Sequence, residues 1–406
     1  MFKERTLDNG LTIIAEPDAS AHSSAVGFFV KTGARDEPTP LMGVSHFLEH
    51  MMFKGTPNRS AAALNQAFDD IGARNNAYTS HEVTCFYAHV LPEFAGTATE
   101  LLGDMLRPAL RQDDFDTEKG VILEEIAMYK DNPFWVLYED LAEKHFVGHA
   151  LGHRVLGTND SIRELQRDQM QGYFDERYSA DNTVVSLAGD IDFDKACEQI
   201  ERICGSWKRT GVTRDNTPPA AKDQRVELTD DRFGRAYMLM LSPAPSAQDD
   251  RRYAATLLTQ ILGAADNSRL HWALIENGLA EEAQAAFEAH DGVGEYYVYA
   301  SGDPDRIEEI ERVVDTEISG LLDSLTQDDL DRLSGKFATS FTIGAERPAD
   351  RMQRIGRRWT LLGEYRTLDE ELERIRAVSL KDLREVYEAY PFSPRTVGVL
   401  RPPSSA

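Results

Sequence analysis

The sequence is poor in cysteine, in long apolar runs and in positive charge. Its 406 residues include three cysteines, Cys85, Cys197 and Cys204, too few for a disulfide framework. No apolar run is long enough to cross a bilayer. The formal net charge of -25 argues against nucleic acid or an anionic membrane surface as a partner. The amino-terminal residues lack a signal-peptide core, and Glu4 and Asp8 are unusual in a transit peptide. We therefore expect a cytoplasmic chain.

A chain of this length is too long for one compact core and predicts two domains. The polar, proline-rich residues 208–223 have no periodicity and predict a linker. On both sides of it the predicted order is the same: strand pair, helix, hairpin, helix, late helix and final strand. We predict an α+β fold that arose by internal duplication. Residues 1–207 and 224–406 would each form a largely antiparallel sheet with helices packed on one face.

The amino-terminal region also predicts its own strand pairing. Asp8-Asn9-Gly10 is a tight-turn signal, and residues 11–15 and 24–31 have strand patterns. We therefore predict a hairpin within residues 6–33.

The stretch from Pro38 to Pro57 predicts a buried helix with polar groups on one face. Its apolar residues surround nearly the whole helix, but His46, Glu49 and His50 share one face. Burying such groups without partners would cost about 1–3 kcal/mol each. Two imidazoles one turn apart suit one Zn²⁺, and the carboxylate beside them can act on a bound water. This is the inverted zinc-protease motif. The alternative is a core helix with two satisfied histidines.

A second helix, predicted over residues 114–130, offers further carboxylates. Glu118 and Glu125 lie two turns apart on one face, and Glu124 points about 100° away from Glu125. Glu125 is therefore the better candidate for a third ligand, although spacing alone does not separate it from Glu124. Glu118 would suit a role in orienting a histidine through its other ring nitrogen. The alternative for these carboxylates is a solvated charged face.

The segment HFLEHMMFKGT, from His46 to Thr56, resembles the pitrilysin family of inverted-zinc-motif metallopeptidases. The resemblance is strongest to its short two-domain branch, which includes the mitochondrial processing peptidase β subunit and its bacterial relatives. LDNGLTIIAEP, NNAYTSHEVTCFY and EKGVILEEIAMYKDNP also match family patterns, so the resemblance covers nearly the whole chain.

The resemblance implies a role for each of eight residues. The zinc ligands would be His46, His50 and Glu125, the catalytic base Glu49, and the residue supporting the site Glu118. Peptide substrate would add as a strand at Asn76, Ala77 and Tyr78. The family fold is two similar α+β domains, and its short members dimerise around a closed chamber.

One departure from the family pattern concerns the second half. The family usually has an Arg there, followed seven residues later by a Tyr, and both contact the substrate and the developing oxyanion. Here those positions are Leu274 and Glu281. We therefore expect a zinc-dependent endopeptidase subunit for extended peptides or oligopeptides, paired with a paralogous subunit that supplies Arg and Tyr. The alternative is a non-catalytic assembly or peptide-binding subunit.

Overall fold

The computed structural model describes residues 1–323 and 325–403, which form two compact units. The first unit contains Met1–Ile126, His153–Asp215 and Thr342–Arg366. The second contains the remaining described residues, including 127–152. Two segments thus pack with the other half of the sequence. The predicted domain boundaries, at residues 207 and 224, are based on the repeat in the sequence. They stay a prediction.

The first unit is built on a six-stranded mixed sheet with the order β1-β2-β6-β3-β5-β4. Its strands are β1 Lys3–Thr6, β2 Thr12–Pro17, β3 Ser24–Val30, β4 Arg74–Thr79, β5 Thr84–Val90 and β6 Thr183–Gly189. The predicted hairpin of β2 and β3 is wrong, because these strands do not pair; the turn at Asp8-Asn9-Gly10 instead joins β2 to β1, which the sequence pattern did not predict. Strand β6 lies between β2 and β3, parallel to β2 and antiparallel to β3. A local pattern does not reveal a strand inserted from 150 residues away, because that pairing depends on the whole sheet.

Helices cover both faces of this sheet. The helices of this unit are α1 Val44–Met52, α2 Ala61–Asp70, α3 Ala95–Met105, α4 Gln112–Tyr129 (whose end belongs to the second unit), α6 Asn159–Glu164, α7 Arg167–Arg177, α8 Phe193–Cys204 and α12 Pro348–Leu362, while α5 Pro133–His145 belongs to the second unit. Phe28 points towards Trp207, which follows α8. Phe29 points to the other face, where Gly356 of α12 leaves room for its ring: a Cβ on Gly356 would lie 2.2 Å from it.

The second unit repeats this plan with one strand fewer. Its sheet has the order β7-β11-β8-β10-β9, formed by β7 Gln224–Thr229, β8 Ala236–Ala244, β9 Ala280–Ala289, β10 Gly294–Gly302 and β11 Thr396–Arg401. One pair, β7 with β11, is parallel, as β2 with β6 is in the first unit. The match in order and direction is what the internal repeat predicts.

Helices also lie on both faces of the second sheet. They are α5, α9 Arg252–Gly263, α10 Ile307–Ser319, α11 Gln327–Ala345 (whose end belongs to the first unit), α13 Leu368–Ala377 and α14 Leu380–Ala389. Met238 and Met240 belong to the core with α9, α10 and α14, whereas Leu239 and Leu241 pack with α5. The predicted α+β class with two similar domains is confirmed. Each sheet carries helices on two faces, however, rather than on the one face predicted.

Among the described residues, no helix combines the length and apolar character needed to cross a membrane.

Candidate metal centre

The helix that carries the two histidines is shorter than predicted and has a buried acidic cap. The prolines form a 3₁₀ turn over Thr39–Leu41, and α1 begins only after Gly43, whose φ is +92°. The carboxyl group of Glu37 accepts hydrogen bonds from the backbone N–H groups of Gly43 and Ser45, at 2.6 and 2.7 Å. Its two oxygens satisfy amides that a helix start leaves unpaired. Glu37 therefore fixes the start of the helix.

Helices α1 and α4 bring His46, His50 and Glu125 together. Their ligand atoms all lie within 4.8 Å of one another. The Nε2 atom of His46 is 3.7 Å from Glu125 Oε1, and that of His50 is 3.5 Å from Glu125 Oε2. The two rings are one turn apart, with centroids separated by 4.7 Å. Two imidazole nitrogens and one carboxylate thus face a common point.

The protonation of this group suits a cation. Burial, followed by the charge of His50, lowers the pKa of His46 to about 3, so its ring is neutral near pH 7. Burial raises the pKa of Glu125, although His50 opposes that shift. The buried Nδ1 of His46 also has no hydrogen-bond partner among the described residues. A neutral imidazole is the form that binds a metal, and two His with one Glu is a donor set that Zn²⁺ uses. The residues therefore fit a zinc ion.

The second nitrogen of His50 is held by Glu118. The distance from His50 Nδ1 to Glu118 Oε1 is 2.8 Å, and the other oxygen of Glu118 lies 2.5 Å from Lys54 Nζ. The Glu118 side chain is almost fully buried. With Nδ1 donating to Glu118, Nε2 of His50 keeps its lone pair towards Glu125. The exposed Glu124 lies outside this group, as the facing argument predicted.

Glu49 lies on α1 beside the histidines and is bound by the edge strand. Its Oε2 atom accepts a hydrogen bond of 2.7 Å from the Thr79 hydroxyl at the end of β4. Burial raises the pKa of Glu49, while Thr79 and His50 oppose the shift. A carboxylate with a raised pKa is a stronger base, which suits proton transfer.

Strand β4 is the edge of the first sheet, since it pairs only with β5. Asn76 is exposed, and Ala77 and Tyr78 are half-buried. The Tyr78 hydroxyl donates to Gln353 at 3.0 Å, so this side chain is anchored within the first unit. The N–H of Ala77 donates to the side-chain oxygen of Asn76 at 2.9 Å rather than to a neighbouring strand. One side of β4 is therefore without a strand partner in the described residues.

The two positions that depart from the family pattern lie in the second unit. Leu274 is fully buried in the apolar core. Glu281 is exposed on β9 and pairs with Arg235 at 2.5 Å. Neither side chain offers a hydrogen-bond donor.

Sequence reasoning missed Glu37 and Lys54, and it placed Thr79 at the end of the substrate strand without its hydrogen bond to Glu49. Lys54 follows His50 by four residues, so helical spacing could have placed it beside that face. Glu37 and Thr79 reach the site through loop and sheet geometry that no spacing rule gives.

Comparison with known proteins agrees with these observations. Residues 12–159 match the family described as insulinase, peptidase family M16, and residues 164–337 match the one described as peptidase M16 inactive domain. An uncharacterized zinc protease of Streptomyces coelicolor is 32% identical over 95% of this chain and 86% of its own length. One from Bacillus subtilis is 30% identical over 94% of this chain and 93% of its own. A crystal structure of a protease from Helicobacter pylori, 21% identical, has the same fold, with a TM-score of 0.91 over 99% of this chain and 100% of that one.

Proposed function

Since the chain belongs to the insulinase family, peptidase family M16, we propose that it is the metal-bearing subunit of a zinc-dependent endopeptidase. Its substrates would be extended peptides or oligopeptides. The observation that carries the proposal is the convergence of His46, His50 and Glu125 on one point, beside the Glu49 carboxylate.

Zinc would be held by His46 and His50 through Nε2 and by the Glu125 carboxylate. When bound, it lowers the pKa of a coordinated water towards about 7 and polarises the scissile carbonyl. Relatives of this chain carry zinc in their names, and the donor set is suited to that ion. Glu118 holds His50 in the tautomer that leaves Nε2 free, and Lys54 neutralises Glu118.

Glu49 is the proton carrier of the proposed reaction. It takes a proton from the attacking water and delivers it to the leaving amine, a contribution of about 10²–10⁴-fold. The Thr79 hydroxyl fixes the carboxylate in position. Because burial raises its pKa, the carboxylate takes a proton from the water more readily than a surface carboxylate would, and the leaving amine is still basic enough to receive that proton.

The edge of β4 is the proposed place for the substrate backbone. A peptide in extended form would pair with Asn76, Ala77 and Tyr78 and would reach Glu49 at the Thr79 end of the strand. Backbone pairing of this kind reads shape more than side chains. For the Ala77 N–H to pair with substrate, the Asn76 side chain must first release it.

The proposed partner is a paralogous subunit. An oxyanion formed at the carbonyl needs donors in addition to the metal, and loss of one donor typically costs about 10²–10³ in turnover. Leu274 and Glu281 offer none. A second chain that supplies Arg and Tyr would complete the site in a heterodimer.

The same two positions favour one rival function, a subunit that binds peptides or supports an assembly without cleaving. The two functions differ in their dependence on Glu49: a peptidase needs its carboxylate for cleavage, whereas a binding subunit does not need it for binding. A binding subunit would hold peptides equally well with Glu49→Gln and would cleave none with any partner.

The test is cleavage of a fluorogenic peptide series by the zinc-loaded chain, alone and mixed with a paralogous chain whose own zinc motif is degenerate. We expect cleavage in the mixture that is lost with Glu49→Gln and kept with Glu124→Gln, an exposed neighbour of Glu125. Peptide binding without cleavage in every mixture would support the rival function instead.

A further inference from the structure

A second group of potential metal ligands lies in the second unit, on the hairpin of β9 and β10. Glu288 and Glu295 are directly opposite each other in the register of the two strands. His290 lies in the connecting turn. The ligand atoms of these three residues all lie within 4.8 Å of one another, the same limit that His46, His50 and Glu125 satisfy.

The charges of this group call for a cation. Like charges directly opposite on paired strands repel each other, and burying a carboxylate costs several kcal/mol unless it is compensated. Glu295 is fully buried. It faces His290, whose Nε2 is 3.9 Å from its Oε1. That distance is too long for a hydrogen bond of ordinary strength.

One oxygen of Glu295 has nothing to bind. Oε1 accepts a hydrogen bond of 2.8 Å from the Tyr138 hydroxyl, while the buried Oε2 has no hydrogen-bond partner among the described residues. A buried polar atom left unsatisfied in this way costs about 1–3 kcal/mol or more. The residue that carries this oxygen belongs to the same cluster as His290 and Glu288. An ordinary Glu–His pair would not explain why this oxygen is buried without a hydrogen-bond partner.

The protonation states also favour a ligand role. Although burial alone would raise it, the interaction with the nearby His290 holds the pKa of Glu295 below its ordinary value. Burial, followed by the charges of Glu295 and Glu288, raises the pKa of Tyr138 well above its usual range. Glu295 is therefore a carboxylate, and Tyr138 is a neutral donor that orients it.

We propose that Glu288, His290 and Glu295 bind a divalent transition-metal cation. One imidazole and two carboxylates suit zinc better than calcium or magnesium, which prefer oxygen alone. Bonds of about 2.0–2.2 Å would require the donors to approach one another by about 1 Å. The exposed Glu288 leaves one side of the ion open to water. The ion would join β9 to β10 and neutralise the two negative charges that face each other across these strands. This proposal is independent of the proposed function.

The probe is zinc alone, counted per chain after chelation, reloading and extensive dialysis. We expect two zinc ions in the wild-type chain and one in Glu288→Gln, which removes a ligand charge at an exposed position. His50→Ala should also retain one, and His50→Ala combined with Glu288→Gln should retain none. The matched control is Glu282→Gln, an exposed carboxylate three strand repeats away on β9, which should leave both ions in place.

Circular dichroism of each variant separates loss of metal from loss of fold. His290→Ala provides a second route to the same loss of one zinc ion. The proposal is overturned if folded wild-type protein holds one zinc and His50→Ala holds none, or if the zinc content is the same in wild type, Glu288→Gln and His290→Ala.

Discussion

The Thr79 hydroxyl donates a hydrogen bond of 2.7 Å to the Glu49 carboxylate. This contact joins the end of the exposed edge strand β4 to the helix that carries both histidines. A peptide bound along β4 and the group proposed to move its protons are therefore fixed relative to each other. The contact also opposes, without cancelling, the effect of burial that raises the pKa of Glu49.

Replacing Thr79 tests whether this contact positions the base. Thr79→Val keeps the shape but removes the donor, and we expect turnover to fall by about 10-fold, the equivalent of one hydrogen bond of about 1.4 kcal/mol. Thr79→Ser keeps the donor and should retain most of the activity. Steady-state kinetics of the two variants, at equal zinc content, decide the matter. Loss of activity in Thr79→Ser, with Thr79→Val unaffected, would mean that the methyl packing of Thr79, and not its hydroxyl, is what counts.

The contact between Glu118 and His50 predicts a loss of metal affinity. Glu118→Gln should weaken zinc binding at this centre by about 10–100-fold, because His50 loses the partner that fixes its tautomer. Competition with a chelator measures the change. Glu124→Gln is the control, since its carboxylate is exposed on the same helix. Unchanged affinity in Glu118→Gln would reduce Glu118 to a structural partner of Lys54.

Glu37 predicts an unusual dependence of stability on pH. Burial raises the pKa of Glu37 from 4.5 to about 8, despite the opposing hydrogen bonds from Ser45 and Gly43. Between these values the folded chain holds the proton and the unfolded chain has released it, so the folded state binds more protons. The contribution of Glu37 to stability therefore falls as pH rises, by about 1.4 kcal/mol per unit.

Urea unfolding of wild type and Glu37→Gln across this pH range checks the sign. The free energy of unfolding of the variant should lack this component, so the difference between the two proteins should shift in favour of Glu37→Gln as pH increases. Parallel pH dependences would show that Glu37 titrates normally in the folded chain.

The second-unit positions predict dependence on a partner. The zinc-loaded chain alone should show little turnover, and a paralogous chain carrying Arg and Tyr should raise it by about 10²–10³-fold. Putting an arginine at position 274 is not a substitute. Leu274 is fully buried, so Leu274→Arg should destabilise the chain by several kcal/mol. Vigorous cleavage by the isolated chain would contradict the heterodimer.

The sequence predicts most elements of this fold because their periodicity is local. The face that carries His46, Glu49 and His50 follows from helix geometry alone, and the same geometry favours Glu125 over Glu124 without separating the two. Strand order does not follow in this way. The insertion of β6 between β2 and β3, and the packing of α12 on the first sheet, depend on contacts between residues far apart in sequence.

The same distinction applies within the site. Lys54 could be placed from its spacing to His50. Glu37 and Thr79 could not, because a loop and a sheet edge bring them to α1. The start of α1 was also misplaced, since Gly43 with its positive φ separates the proline turn from the helix. The buried carboxyl group of Glu37 caps α1 as a serine side chain would, and the local sequence pattern does not predict this cap.

The most direct measurement is a crystal structure of the zinc-loaded chain with anomalous data collected at the zinc edge. The account predicts an anomalous peak within bonding distance, about 2.0–2.2 Å, of Nε2 of His46, Nε2 of His50 and a Glu125 oxygen. The peak should be absent from crystals of His50→Ala. A zinc-loaded crystal with no peak between these three residues, or with a peak that excludes Glu125, would contradict the account.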